Sequence, residues 1–480
     1  MLLTIDIGTS SFKSSLWDFD GNRLAFASLP LSISINDSLR HEADCSQWLC
    51  AFENCCQRLA NGTNHNLAAV QAIVISGQGP SLIPILGEPR VTGEGLSVMA
   101  DNARLWLDRR AVKYQGEVSE LMGGFVDAGF FLPKILALKN EEGGLYDRTK
   151  FFLGCPEYLS YALTGQARTV FPSDGFDRWF WNNAVLEKLK LDAEKFPAFI
   201  RPGDPYGSIL PSAAEHFGFA KNIPVISGGP DFFAAILGAR VIKPGQACDR
   251  TGSSEGVNLC TKDRVNDERL MSYGHPVKPY WNLSGIISTT GKAIEWSRDL
   301  LGLSDFDDFF SLAEKSEPGS GGLVFLPYLA GERAPVWDPS TRALWRGISL
   351  SSGRSDFANS VLEGICFAIR DVITVMEETG GAGARVGQLH VTGGLAGSAR
   401  LNQLKADITG KEVLEPAQKE AELLGLAVIG ACYLGKFASF AEASSTMVNI
   451  EKTFEPNLEN AALYDRLFAE YKKSQMLLKT

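Results

Sequence analysis

A segment near the N-terminus, Leu2-Leu3-Thr4-Ile5-Asp6-Ile7-Gly8-Thr9-Ser10-Ser11-Phe12-Lys13, returns in altered form at Asp249-Arg250-Thr251-Gly252-Ser253-Ser254. In each, an Asp precedes a tight turn of Gly, Thr and Ser. Apolar residues then resume a strand, Ser15-Leu16-Trp17 after the first turn and Val257-Asn258-Leu259 after the second. Glycine lets backbone approach a ligand closely, and successive N–H groups with Ser/Thr hydroxyls form an anion-binding nest. Two such hairpin turns, one per half of the chain, suit a polyphosphate gripped from opposite sides.

A chain of 480 residues exceeds what one hydrophobic core supports, so two large domains are expected. The segment Gly238-Ala239-Arg240-Val241-Ile242-Lys243-Pro244-Gly245 is the best boundary, giving domains 1–240 and 241–480. A net charge of -10 disfavours nucleic acid and anionic membrane surfaces as partners. Nine Cys show no CxxC pair and no zinc spacing, which reads as reduced thiols in a cytoplasmic protein. The start MLLTIDIG lacks a basic region and breaks its apolar run with Asp6, unlike a signal peptide. No apolar stretch reaches the length of a membrane span.

Strands are expected at 2–7, 14–19, 23–29, 69–76 and 223–227, and helices at 46–59, 130–142, 157–163 and 232–237. The second half repeats the alternation, with strands at 247–249, 255–260, 323–327 and 388–392 and helices at 355–378, 398–409, 420–434 and after Asn457. Strands mixed with helices in both halves predict two α/β domains.

Several segments carry chemistry. In the first turn Asp6 is placed to hold Mg2+ through water, since Mg2+ prefers oxygen ligands and keeps waters of its own. Thr9, Ser10 and Ser11 offer hydroxyls there, and Lys13 offers a charge. An ordinary hairpin is the plain alternative, weakened by the echo at Thr251, Gly252, Ser253 and Ser254. Gly228-Gly229-Pro230-Asp231 puts a carboxylate at a strand end just before a helix, suited to a general base and equally to a helix cap. The pair Gly393-Gly394, followed by Ala396, would admit a flat adenine ring. Glu332 and Arg333 form either a loop-ordering pair or a solvated one. Trp106 and the run Trp179-Phe180-Trp181 suit either a sugar's C–H face or core packing, the commoner use.

Taken in order, these segments resemble the FGGY family of carbohydrate kinases, over nearly the whole chain from Leu2 to about Phe437. Trp106-Leu107-Asp108-Arg109-Arg110, Leu132-Pro133-Lys134-Ile135-Leu136, Phe325 to Pro339 (closest to the xylulokinase-like branch), Leu362-Glu363-Gly364-Ile365 and Gln403-Leu404-Lys405-Ala406-Asp407-Ile408 share in it. The resemblance implies a two-domain actin/hexokinase-like (ribonuclease H-like) α/β fold with a nucleotide and sugar cleft between the domains. It implies transfer of the ATP γ-phosphate, with Mg2+, to a small sugar or polyol. Asp231 matches the catalytic base and, with Asp6, is the metal candidate. Gly8, Thr9 and Ser10 match the first phosphate loop, Thr251 to Ser254 the second, and Gly393, Gly394 and Ala396 the adenosine site. Gln78, Gly79, Pro80, Trp106, Asp231 and Phe232 are the sugar-site candidates. A homodimer is compatible with this reading.

The chain departs from the branch in three places. Gly79-Pro80-Ser81 stand where xylulokinases usually have Met-His-Gly, Phe232 stands where they have Asn, and Thr-Gly-Ser-Ser replaces the usual Gly-Thr-Ser. The changes at 79–81 and Phe232 disfavour D-xylulose and favour a deoxy sugar, a differently configured ketose or a polyol. The transposed Thr251-Gly252 bears on the details of phosphate contact and keeps its chemistry. A catalytically weak sugar- or nucleotide-binding regulator is the alternative, and an actin/Hsp70-like ATPase a third reading.

Overall fold

Every residue of strand β1, Leu2–Ile7, is buried, the mark of a strand covered on both faces. In the computed structural model, which describes residues 1–478 apart from 36, 38, 62–65, 93 and 94, β1 lies inside a six-stranded sheet. The others are β2 (Ser11–Trp17), β3 (Arg23–Pro30), β4 (Ala72–Gly77), β5 (Pro205–Ser208) and β6 (Pro224–Pro230), in the order β5-β6-β4-β1-β2-β3. β1, β4 and β6 run parallel; β2, β3 and β5 pair antiparallel. Trp48 and Phe52 of helix α1 (Ser46–Asn61) and Tyr158 and Leu159 of a later helix share one core with Leu3, Ile5, Ile73 and Val225 of the sheet. Between them runs α2 (Phe131–Glu141); the later helix is α3 (Cys155–Thr164), and α4 (Asp231–Gly238) starts where β6 ends.

The second unit repeats the plan. Its seven strands are β7 (Gln246–Thr251), β8 (Glu255–Thr261), β9 (Met271–Gly274), β10 (Trp281–Ile287), β11 (Gln388–Gly393), β12 (Glu412–Pro416) and β13 (Ile450–Phe454), in the order β9-β10-β8-β7-β11-β12-β13. β7, β11 and β12 are the parallel strands, and β7 turns back into β8 as β1 does into β2. Helices α5 (Gly291–Leu300), α6 (Arg354–Gly380) and α7 (Ala399–Thr409) belong to this unit, and α6 contributes Val361, Leu362, Ile365, Ile369 and Val372 to its core.

The chain divides as Met1–Gly238 with Glu422–Met447 in one compact unit, and Ala239–Ala421 with the chain from Val448 onward in the other. Helix α8 (Ala421–Tyr433) therefore packs on the first unit, where Gly425 meets the backbone of Ala234 in α4 and Gly430 meets Val74 and Leu2 of the sheet. The second unit closes with α9 (Ala461–Leu477). The expected elements sit within a few residues of the observed ones. β2 begins earlier, at Ser11, because Phe12 is fully buried and continues the ladder. Among the described residues no helix is long and apolar enough to cross a membrane.

Candidate active site and nucleotide site

The parallel strands of the first sheet end side by side. Register pairs Ile7 with Gly77 and Gly77 with Pro230, so Gly8, Gln78 and Asp231 are the next residues of adjacent strands, which lie about 5 Å apart. Strand ends of an open parallel sheet are where such folds bind ligands. Gln78 is anchored by its own N–H, which donates to Ile7 O at 2.8 Å. Thr9 Oγ1 donates to Gln78 Oε1 at 3.2 Å, and Trp106 Nε1 donates to Thr9 Oγ1 at 3.1 Å. Asp6 sits one residue before the end of β1, directly opposite the half-buried Lys13 of β2, which pairs opposite charges across the hairpin. Ser10 is exposed and Ser11 half-buried.

The segment carrying Trp106 is fixed from behind. Arg109 Nη1 donates to Trp106 O at 2.6 Å, and buried Asp108 binds Arg110 at 2.7 Å and accepts from His41 N at 3.0 Å. Fully buried Lys134 of α2 donates to Pro80 O at 3.0 Å, Arg104 O at 3.1 Å and Leu105 O at 2.6 Å. Three acceptors match the three N–H groups of an ammonium, and burial pushes this lysine well below its usual range. The loop bearing Gly79 and Pro80 is thereby tied to the segment bearing Trp106. Gly79 is exposed, and nothing stands within 4 Å of where a Cβ would be.

Asp231 opens α4 and is partly exposed at the positive end of that helix. Its Oδ1 accepts from the adjacent Phe232 N at 2.7 Å. Ser76 Oγ donates to Gly229 O at 2.7 Å and fastens the approach to Asp231 onto β4. The Phe232 ring lies nearly parallel to Phe176 (6.3 Å, 18°), Phe176 meets Trp179 edge-on at 5.3 Å, and Trp179 stacks on Phe130 (5.8 Å, 20°). All four are half-buried. The aromatic run thus splits: Trp179 joins this chain of rings beside Asp231, whereas Phe180 and Trp181 are buried against Phe131, Phe196 and Phe199.

In the second unit the turn between β7 and β8 is closed by the pair Thr251 and Glu255, with Gly252 N donating to Ser254 O at 2.8 Å. The N-terminus of α5 supports it from one side: Thr290 N and Lys292 N donate to Ser253 O, and Gly291 N to Gly252 O, at 3.0–3.3 Å. Gly252 and Ser253 are exposed and Ser254 is half-buried. The glycine pair ending β11 lies against this turn, with Gly394 N donating to Thr251 O at 3.0 Å. At Gly393 φ is +91°, and a Cβ would collide with Thr251 O, so only glycine fits. Ala396 is buried and its N–H donates to Gly393 O at 3.1 Å. Two sequence candidates for nucleotide binding are therefore one structure.

Three features here escape the sequence reading. Thr251 is buried, and its hydroxyl turns inward, donating to Glu255 Oε1 at 2.8 Å and accepting from Lys405 Nζ at 2.9 Å. Lys405 Nζ also lies 2.5 Å from Asp249 Oδ2 and 2.7 Å from Glu255 Oε1, and all three charged side chains are fully buried. Glu332 is buried, not solvated: its Oε1 accepts the N–H groups of Ser288 and Arg333, each at 2.7 Å, and burial pushes its pKa up to about 7.

Two sheets of one design, each presenting a Gly/Ser/Thr turn between its first two strands, define the two-domain actin/hexokinase-like fold. Residues 1–238 match the FGGY family N-terminal domain and residues 250–434 the C-terminal domain of the same carbohydrate kinases. The chain belongs to the FGGY family of carbohydrate kinases and is a sugar-phosphorylating enzyme for which ATP is the implied phosphoryl donor.

Among its relatives, a xylulose kinase of Staphylococcus epidermidis is 27% identical over 486 residues, covering 98% of this chain and 95% of that protein. The xylulose kinase of Lactococcus lactis is 28% identical over 98% of this chain and 96% of its own length, and the gluconokinase of Bacillus subtilis 25% over 97% and 94%. Among solved structures, the ligand-bound xylulose kinase of Lactobacillus acidophilus superposes with a TM-score of 0.86 at 23% identity, covering 100% of this chain and 99% of that one. Plasmodium falciparum glycerol kinase with ADP gives 0.84 at 19% identity, covering 99% and 98%; both share the fold.

Proposed function

We propose that the protein transfers the γ-phosphoryl group of ATP to a hydroxyl of a small, ketopentose-like sugar or polyol, with Asp231 as general base. The carrying observation is the junction of strand ends that brings Gln78, Thr9, Trp106 and Asp231 to one edge of one sheet. The acceptor hydroxyl gives its proton to an Asp231 carboxylate oxygen as its own oxygen bonds to the γ-phosphorus. The bond from that phosphorus to the β–γ bridging oxygen breaks, and ADP leaves. Such transfer depends mostly on positioning and charge neutralisation. Gln78 and Trp106 orient the sugar. The Gly8–Ser11 turn with Lys13, the Thr251–Ser254 turn, and Gly393, Gly394 and Ala396 serve the nucleotide.

The donor set fits Mg2+. Among the described residues no three His, Cys, Asp or Glu side chains gather as a metal cage. Asp6 lies on β1 and Asp231 just past the end of β6, the two strands that flank β4. Isolated carboxylates suit an ion that keeps its waters and takes its other ligands from phosphates. Asp6 would hold it through water, with Asp231 near by, and the ion would supply neutralisation of phosphate charge.

The xylulose kinase relatives support a ketopentose-sized acceptor. The open position at Gly79 and the aromatic wall from Phe232 to Phe176 support a deoxy sugar, a differently configured ketose or a polyol over D-xylulose, and the apolar wall best suits a deoxy ketose. Mg·ATP-dependent ADP release against ketopentoses, deoxy ketoses, tetritols, pentitols and glycerol tests this. One strongly preferred acceptor with an apolar end is expected; ADP release independent of any acceptor would defeat the kinase reading.

A further inference from the structure

The buried cluster Lys405, Asp249 and Glu255 lies directly under the second phosphate turn. Its members come from three elements: Asp249 from β7, Glu255 from β8 and Lys405 from α7. Two carboxylates and one ammonium would leave an uncompensated negative charge in a dry interior, an arrangement that costs several kcal/mol unless a proton neutralises it. Burial, followed by the nearby Glu255 carboxylate, drives Asp249 well above the usual carboxylate range. Burial acts on Glu255 too, but Lys405 and the hydrogen bonds from Asp249, Lys405 and Thr251 outweigh it and hold Glu255 below its usual range. Burial and the Glu255 charge thus favour a proton on Asp249, and with one proton there the Lys405 cluster is neutral.

Its connections run toward the ligand side. Thr251 and Glu255 are the paired residues from which the turn 252–254 hangs, and Lys405 holds both, at 2.9 and 2.7 Å. Thr251 O in turn receives Gly394 N from the adenosine loop. A single ammonium therefore fixes the stem of the phosphate turn and, one bond further, the glycine pair.

Resting on the kinase reading above, we propose that Lys405 and Glu255 are positioning residues for the nucleotide's phosphates, acting through the turn Gly252-Ser253-Ser254 without touching the ligand. The test is binding of ADP, AMP and adenosine by calorimetry without sugar, with melting curves, for the parent, Glu255→Met, Glu255→Gln and Lys405→Met. Glu255→Met leaves Lys405 balanced by an ionised Asp249, so it folds without a stranded charge even where Lys405→Met does not. ADP affinity is expected to fall roughly 10- to 100-fold in Glu255→Met, the loss a misplacement of about 1 Å produces, with adenosine almost unchanged. Glu255→Gln, which still accepts from Thr251 and Lys405, should recover most of that affinity. ADP binding by Glu255→Met within about threefold of the parent would overturn the proposal, as would equal losses for adenosine and ADP, which report general damage to the unit. A parent that binds no nucleotide would instead overturn the kinase reading itself.

Discussion

Thr9, in the turn between β1 and β2, and Gln78, the residue after β4, meet side chain to side chain at 3.2 Å, with the Trp106 indole bonded to the same threonine oxygen at 3.1 Å. The turn proposed to serve the phosphates and the two side chains proposed to orient the sugar are therefore joined through one threonine hydroxyl.

Trp106→Phe keeps the ring and removes its N–H. A net hydrogen bond is worth about 1 kcal/mol, so the KM for the preferred sugar should rise roughly fivefold. The KM for ATP should stay the same within error in initial-rate kinetics. An effect confined to ATP would show that Trp106 serves the turn alone.

Lys134→Met removes one donor group from three backbone carbonyls, those of Pro80, Arg104 and Leu105. Unsatisfied buried acceptors cost enough that unfolding in urea should show a loss of roughly 2–4 kcal/mol, with a raised sugar KM as the Gly79–Pro80 loop loosens. A fully stable variant with unchanged KM would mean the lysine only fills space.

Glu157 of α3 is buried, accepts Val170 N at 3.1 Å, and is pushed by burial from 4.5 up to about 7. The folded state therefore holds a proton that the unfolded chain releases near 4.5. Stability from this group is greatest below that pH, declines as pH rises toward 7 and is flat above. A difference of 7 against 4.5 corresponds to about 3 kcal/mol. Glu157→Gln should remove this slope and gain more stability relative to the parent at about pH 8 than at about pH 5, by roughly 2–3 kcal/mol in parallel urea titrations. Equal differences at both pH values would contradict the assignment. Glu332 titrates in the same range, and the parent-minus-variant difference cancels it.

Gly425 allows α8 to touch the backbone of Ala234 in α4, the helix that begins with Asp231. Gly425→Ala must push α4 outward, and since small misplacements of a catalytic group are expensive, kcat should drop at least about tenfold while ADP affinity holds. Wild-type kcat in a folded variant would show that α4 absorbs the shift without moving Asp231.

The motifs that announce themselves in the sequence are local. A turn such as Gly8-Thr9-Ser10 and its partner at 252–254 need only a few adjacent small polar residues between apolar runs, and both fall on hairpins as read. Asp231 at a strand-to-helix junction is legible for the same reason. What depends on residues far apart is not. The Lys405 cluster joins positions separated by 156 and 150 residues, and although Gln403 to Ile408 shares in the family resemblance, nothing there marks Lys405 as buried between two carboxylates. The return of α8 to the first unit is hidden likewise, since it shows only in contacts with residues far away in sequence, such as Gly425 against Ala234. Strands β5, β9, β10, β12 and β13 are absent from the sequence reading; β13, with three of five residues exposed, carries little apolar alternation. Phe180 and Trp181 looked like their neighbour Trp179 because exposure is not written in residue type.

The central claim is that Asp231 removes the proton of the acceptor hydroxyl. Its most direct test is Asp231→Asn, which preserves shape and the bond from Phe232 N, measured for kcat on the best acceptor and for ADP affinity by calorimetry. The account predicts that kcat falls about 10²- to 10⁴-fold, the usual contribution of a general base, while the Kd for ADP is unchanged. Turnover within a few-fold of the parent in a folded, ADP-binding variant would contradict it.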